Sequence, residues 1–164
     1  MDIQFRNASE QDLDAIVDIY NQAVMQGFTS HEKSLSVEDR LDWFRKHSFD
    51  TRPIWVATGS DQNIYGWVSV RDYYGNPAYN HTAEISVYVS TENRRKGLGS
   101  ALVDLVIENA PSKDISTLIA VIYADNLSSI KLFENKQFER WGFLPGVTHV
   151  FGEDKDVVLM GYSY

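Results

Sequence analysis

The segment Asn93-Arg-Arg-Lys-Gly-Leu-Gly-Ser100 gathers three cations and two glycines into eight residues. A β-branched run, Ile85 to Val89, precedes it, and an amphipathic helical pattern follows from Leu98 to about Asn109. A strand that turns through Arg-x-x-Gly-x-Gly into a helix forms an anion cradle. Glycines let backbone amides approach a ligand closely, and the helix start adds partial positive charge. The chemistry expected is the holding of a phosphate-bearing cofactor. Two better-known phosphate turns do not fit. A dinucleotide turn needs a third glycine near position 102, which is Leu102, and the Walker spacing Gly-x-x-x-x-Gly-Lys-Ser/Thr is absent. Taken alone, the turn also fits a surface loop with solvated cations.

The flanking sequence supplies the elements that must position this turn. Ile3 to Asn7 alternates as a short strand. A helix is predicted from Ser9 or Asp12, with Leu13, Ile16, Val17, Tyr20 and Val24 on one face, ending near Gly27. After a polar loop, Thr29 to Leu35, Ser36 and Asp39 form a capping pair for a second helix. Its core face is Val37, Leu41 and Phe44. Strands are predicted from Pro53 to Thr58, Ile64 to Arg71, Glu84 to Val89 and Thr117 to Tyr123. Leu127 to Lys136 reads as a helix. Gln137 to Phe143 and Asp156 to Tyr162 read as two late strands joined by a loop. This order predicts an α/β (α+β) fold: a mixed sheet of about seven strands with helices on both faces.

Composition narrows the classes of function. The chain has 164 residues, 43% of them hydrophobic, which is enough for a single domain spanning 1–164 with a real core. A net charge of −8 argues against nucleic acid and anionic membranes, and it suits an amine partner. With no cysteine there is no disulfide, no Cys-based zinc site and no thiol nucleophile. No histidine pair has metal-ligand spacing, so no metal is expected. No signal pattern opens the sequence, and no apolar run approaches the ~20 residues of a membrane span. A cytoplasmic protein is expected.

A longer pattern surrounds the glycine turn. Thr82-Ala-Glu-Ile-Ser-Val-Tyr-Val89 runs into it, and Ala124-Asp-Asn-Leu-Ser-Ser-Ile130 follows about twenty-five residues on. Near the N-terminus stand Ile19-Tyr-Asn-x-x-Val24 and Ser36-x-Glu-x-Arg-x-x-Trp-Phe44. Together these resemble the GNAT (Gcn5-related) N-acetyltransferase superfamily over essentially the whole chain. The narrower likeness is to the branch of phosphinothricin and methionine sulfoximine acetyltransferases. The resemblance implies a mostly antiparallel sheet, acetyl-CoA as co-substrate, a small-molecule amine as acceptor, and a homodimer.

It also implies roles for particular residues. Arg94, Arg95, Lys96, Gly97, Leu98, Gly99 and Ser100 would hold the cofactor pyrophosphate, and a side chain at Gly99 would fill space a phosphate needs. The strand end at Val87, Tyr88 and Val89 would offer its backbone to pantetheine, and one of its amides would polarise the thioester carbonyl. Asn126 matches a pantetheine contact, although an N-cap of the following helix is the other reading. Asn135 matches a further cofactor contact. Glu84 matches the general base of the branch, and strand alternation places it on one face with Ser86 and Tyr88. Tyr79, His81 and Glu32 are candidates for contact with the substrate.

The chain departs from the branch in three places. Phe133 stands where a tyrosine or histidine would act as the acid, leaving Tyr123 and His149 as the other donors considered. Gln137-Phe138 replaces Gly-Phe. Asp154 replaces a tryptophan in the segment 146–155, read here as a loop. An N-acetyltransferase acting on an amino acid or analogue is the expected function. The alternatives are a non-catalytic acyl-CoA-binding regulator and a protein or peptide N-acetyltransferase.

Overall fold

A computed structural model describes residues 2–164. Strand β1 (Gln4–Asn7) leads through a short turn of 3-10 helix into helix α1 (Leu13–Met25). Gly27, at φ +75°, ends that helix in a left-handed turn, a conformation glycine adopts without steric cost. Helix α2 (Val37–Arg45) begins at the predicted capping box. Asp39 N donates to Ser36 Oγ at 3.2 Å, and Ser36 N donates to Asp39 Oδ2 at 2.8 Å. Strands β2 (Ile54–Thr58), β3 (Ile64–Asp72) and β4 (Thr82–Val89) follow as an antiparallel meander. Helix α3 (Leu98–Asn109), strand β5 (Thr117–Tyr123), helix α4 (Leu127–Asn135) and strands β6 (Glu139–Val150) and β7 (Glu153–Ser163) complete the chain.

One sheet holds all seven strands in the order β1-β2-β3-β4-β5-β7-β6. Every pair is antiparallel except β4 with β5. A parallel neighbour needs a crossover, and α3 supplies it. The expected α/β class, mixed sheet and element order are all present.

Strand alternation sends side chains to two cores. Val68, Val70, Ala83 and Ile85 face α3 and α4, joining Leu102, Val103, Val106, Ile130 and Phe133. Trp67 and Val56 face α1 and α2, with Ile16, Tyr20, Val24 and Phe44. Trp67 is 1% exposed, stacks on Tyr88 with ring centroids 4.6 Å apart, and donates from Nε1 to Ile16 O at 3.1 Å. It therefore ties α1 to the middle of the sheet and backs the strand that carries the site residues.

The late strands differ from expectation. The segment 146–155 is no loop: β6 and β7 are 12 and 11 residues long and meet in a tight turn. Val150 pairs with Glu153, and the two residues between them, Phe151 (φ +50°) and Gly152 (φ +74°), are both left-handed, as a primed hairpin turn requires. Pro145 and Gly146 read as breakers, but a bulge absorbs them between the Leu144↔Val157 and Thr148↔Lys155 pairs. There Gly146 N donates to Asp156 Oδ1 at 2.7 Å.

Replacing Trp67 with Ala removes a fully buried ring and the indole hydrogen bond to Ile16 O. The expected loss is ~3–5 kcal/mol of unfolding free energy, read from urea denaturation followed by far-UV circular dichroism.

Candidate active site

β4 and β5 pair only from Thr82↔Thr117 to Glu84↔Ile119. Beyond Glu84 they part, while β4 stays paired with β3 up to Val89 and β5 stays paired with β7 up to Tyr123. The facing edges of the two strands, Ile85–Val89 and Ala120–Tyr123, thus border a cleft. A cavity of about 740 Å³ fills it, walled by the ends of both strands, the start of α3, α1 and the segment Phe28–His31.

The glycine turn forms one end of this cavity. Arg95 (φ +59°) and Gly97 (φ +82°) are both left-handed, so the chain reverses sharply into α3. The first helical bond of α3 runs from Ala101 N to Gly97 O at 3.0 Å. The amides of Leu98, Gly99 and Ser100 therefore precede any intrahelical acceptor, and all three residues line the cavity. A Cβ added at Gly97 would meet no atom within 4 Å, so this backbone opens on free space. At Gly99 a Cβ would lie 3.3 Å from Leu132 Cδ2. Close packing on α4 leaves little room for a side chain there. Unpaired amides, a helix start and adjacent cations suit a pyrophosphate. Arg94 and Arg95 line the cavity, whereas Lys96 is exposed outside its lining. Arg94 is already engaged: its Nε donates to Val89 O at 3.2 Å and its Nη1 to Gln26 Oε1 at 2.8 Å. It braces the turn against the end of β4 and against α1.

Glu84, Ser86 and Tyr88 share the face of β4 that looks toward α1 and α2, and all three line the cavity. Glu84 is paired in register with Arg71 on β3. The guanidinium grips both carboxylate oxygens, with Nη2 3.0 Å from Oε1 and 2.9 Å from Oε2. The Glu84 side chain is 12% exposed, so this ion pair is largely shielded from water on the carboxylate side. Tyr88 packs between Trp67 and Tyr20, and burial pushes its phenol well above the usual tyrosine value. It is neutral at physiological pH. Val87 and Val89 pack side chains toward α3 while their backbone borders the cleft.

The other sequence candidates divide. Asn126 caps α4, accepting from Ser129 N at 3.2 Å, and it also lines the cavity. Asn135, at the exposed end of α4, lies outside the lining. Tyr79 packs on Tyr74 and Tyr73, its ring centroid 5.2 and 6.0 Å from theirs, in a self-contained aromatic loop away from the cavity. His81 contacts Asp114, with Nδ1 3.0 Å from its backbone O and 3.3 Å from Oδ2, at the far end of β4. Glu32 turns from the cavity and accepts from Phe151 N at 2.6 Å. Its segment does form a wall, through Phe28, Thr29, Ser30 and His31. Phe133 is 2% exposed and packs edge-on against Phe138. Of the other donors considered, Tyr123 lines the cavity and donates from Oη to Thr29 O at 3.1 Å. His149 instead pairs with Asp154 on the exposed hairpin.

The sequence assigns no site role to the residues on the α1–α2 side of the cavity or to Arg71 on β3. Tyr20, His31, Arg40, Trp43 and Arg71 all line the cavity. Tyr20 Oη lies 2.6 Å from His31 Nδ1. Burial pulls the His31 pKa below its ordinary value, helped by the charge of Arg40. His47, behind this wall, is also lowered by burial; its Nδ1 sits 2.9 Å from Trp43 O, and its Nε2 is buried without a partner. Among the described residues no cluster of three metal-ligating side chains occurs, and no helix is long and apolar enough to cross a membrane.

Residues 13–138 match the model of the acetyltransferase (GNAT) family, and the chain belongs to that family. It is 38% identical to YwnH of Bacillus subtilis (strain 168), over 95% of this chain and 96% of that protein. It is 33% identical to the L-methionine sulfoximine/L-methionine sulfone acetyltransferase of Pseudomonas aeruginosa PAO1, covering 98% of this chain and 94% of the relative. Among solved structures, a phosphinothricin acetyltransferase from Sinorhizobium meliloti in complex with AcCoA superposes with a TM-score of 0.92 at 27% identity, covering 99% of this chain and 89% of the other.

Both site histidines bind a proton less readily folded than unfolded, where the ordinary value is 6.5. Below that pH the unfolded chain takes up protons that the folded chain refuses, so stability falls as pH falls. Unfolding free energy is expected to be lower at pH about 5.5 than at about 7.5, and the difference to shrink in the His31→Gln/His47→Gln double variant. Urea titrations at the two pH values measure it.

Proposed function

We propose that this acetyl-CoA-dependent N-acetyltransferase transfers the acetyl group to the primary amine of a small amino acid or amino-acid analogue, of the phosphinothricin or methionine sulfoximine kind. One observation carries the reading: the unpaired amides of Leu98–Ser100 and the carboxylate of Glu84 open on the same cavity, one at each end of the unpaired stretch of β4. The names of the relatives support the acceptor class.

When bound, acetyl-CoA supplies the activated acyl group. The chain's part is to position and to move a proton. The amides at the start of α3, with Arg95 beside them, hold the diphosphate. The free edge of β4 from Val87 to Val89 offers main-chain groups to the pantetheine arm, and one of its amides stabilises charge on the carbonyl oxygen. Asn126 adds a side-chain contact from the opposite wall. Glu84, fixed in orientation by Arg71, accepts a proton from the incoming ammonium, directly or through water, so that a neutral nitrogen attacks. No covalent enzyme intermediate is required, and the chain has no cysteine to form one. The proposed protein is a homodimer. Trp141, Phe143, Leu144 and Val147 on the edge strand β6 are 39–55% exposed, an apolar surface of the kind a second copy covers.

Glu84→Gln keeps the shape of the side chain but not its basicity. It is expected to lower kcat by about 10²–10⁴-fold. The loss should be largest at low pH, where more of the substrate is ammonium, and acetyl-CoA affinity should barely change. Thiol release followed across pH checks this, and an unaltered kcat at every pH removes Glu84 from the reaction. Gly97→Val forces a β-branched residue into a left-handed turn at the cradle. Coenzyme A affinity, measured by calorimetry, should fall at least about tenfold, alongside a stability loss of ~1–3 kcal/mol.

A further inference from the structure

Arg40 is the unexplained charge in the cavity wall. It projects from α2, is half-buried, and lies over two aromatic rings, its Cζ 3.8 Å from the centroid of Trp43 and 4.6 Å from that of Tyr20. Among the described residues its guanidinium has no hydrogen-bond acceptor and no ion-pair partner. The neighbouring carboxylates are spoken for. Asp39 is turned to the Ser36 amide, and Glu84 is held by Arg71. Aromatic faces stabilise a cation but satisfy none of its five N–H donors. Those donors open on the cavity, which Arg40 lines beside Glu84 and Arg71. The ring of Tyr88 stands close enough to feel the charges of all three.

A guanidinium with free donors fixed on an aromatic pedestal is preorganised for a planar, two-oxygen anion. Glu84 is the only acidic residue of the cavity lining. The acceptor's nitrogen must reach Glu84, and Arg40 shares both its cavity and its neighbour Tyr88, so a group that reaches Arg40 at the same time belongs close to the amine. An α-amino acid meets that demand, because its ammonium and carboxylate share one carbon. We infer that Arg40 binds the carboxylate of the acceptor substrate and selects α-amino acids over simple amines. The inference rests on the function proposed above and adds the residue that reads the acid group. Trp43 and Tyr20 act as positioning residues by holding the guanidinium plane. Its partner Arg71 is committed to Glu84, so the two arginines divide the work: one orients the base, the other orients the substrate.

The test compares L-methionine sulfone with its carboxamide as acceptors for wild type, Arg40→Met and Arg40→Lys. Methionine keeps the apolar contact with Trp43 and removes every donor. The wild type should prefer the acid. Arg40→Met should raise KM for the acid about 10- to 100-fold with kcat nearly unchanged, and leave the carboxamide unaffected. Arg40→Lys should restore part of the preference, since it returns a charge without the fork. Acetyl-CoA affinity, measured by calorimetry, should be equal in all three proteins and reports that each is folded. If wild type acetylates both compounds equally, or if Arg40→Met weakens both to the same extent, the assignment of Arg40 is overturned while the transferase reading stands. If wild type acetylates neither these compounds nor any amine in a panel, both fall together.

Discussion

The parting of β4 from β5 after Glu84 is the constraint on which the rest of the molecule depends. A sheet gains most by pairing every main-chain group, and an unpaired edge inside a fold is costly unless something else meets it. Here the sheet is split at its centre rather than at its rim, since β4 and β5 are the fourth and fifth of seven strands. Each of the two strands is secured on its outer side, β4 by β3 and β5 by the long β7. The opening is therefore rigid, and both of its banks are regular strand. The parallel direction of the pair makes this workable. It demands a crossover helix, and the crossover brings the N-terminus of α3 to the mouth of the opening.

A second constraint follows from how side chains alternate on β4. Ala83, Ile85, Val87 and Val89 anchor the strand in the core beneath α3, leaving Glu84, Ser86 and Tyr88 for the other face. That face would ordinarily pack fully against α1 and α2. It does so near Tyr88, where Trp67 and Tyr20 close around the ring, and not near Glu84, where arginines replace apolar side chains. The result is a cavity whose lining carries several cations and one carboxylate within a chain of net charge −8. Overall charge thus says little about the site; the acidic residues lie mostly on the outside, and the local field is set by Arg40, Arg71, Arg94 and Arg95.

How much was legible in the sequence depended on whether the signal was local. The bounds of α3 and β5 follow from local periodicity and match the observed residues, as does the Ser36–Asp39 capping box. The glycine turn into α3 was equally legible, because its glycines, cations and helix start are adjacent in sequence. Arg71 was not. Its meaning comes from standing opposite Glu84, and that register spans a nine-residue connection whose geometry no pattern specifies. Arg40 stands in the motif Ser36-x-Glu-x-Arg-x-x-Trp-Phe44, but an α2 core face of Val37, Leu41 and Phe44 says nothing of the aromatic wall it joins. The hairpin of β6 and β7 was misread because Pro145 and Gly146 signal a break, while the structure takes up the extra residues in a bulge and turns later, at Phe151–Gly152. Tyr79 and His81 precede the strand of Glu84 and Glu32 lies in the loop after α1, but each is held by a partner that only the tertiary fold provides.

Phe133 shows how such a fold tolerates the loss of a polar group. Phe133, on α4, is 2% exposed and packs edge-on against Phe138, yet it lines the cavity, so it shapes the cleft without offering a hydroxyl. The chemistry does not insist on one. A leaving thiol has a pKa of about 8.5, so the sulfur departs as an anion with far less assistance than an alkoxide needs. In the proposed reaction proton removal from the attacking ammonium is the heavier demand, and the carboxylate oriented by Arg71 borders that end of the cavity. The one phenol that remains on the cleft from β5, Tyr123, is pushed above its ordinary pKa by burial and spends its proton on Thr29 O. It thereby clamps the Phe28–His31 wall to the sheet, and Lys155 adds a second clamp by donating to Gly27 O at 3.0 Å. The hairpin turn adds a third through Phe151 N and Glu32. The divergent hairpin therefore bears on the cavity through the loop it holds, at a distance from the residues of β4 and α3 to which the proposed function assigns acetyl transfer.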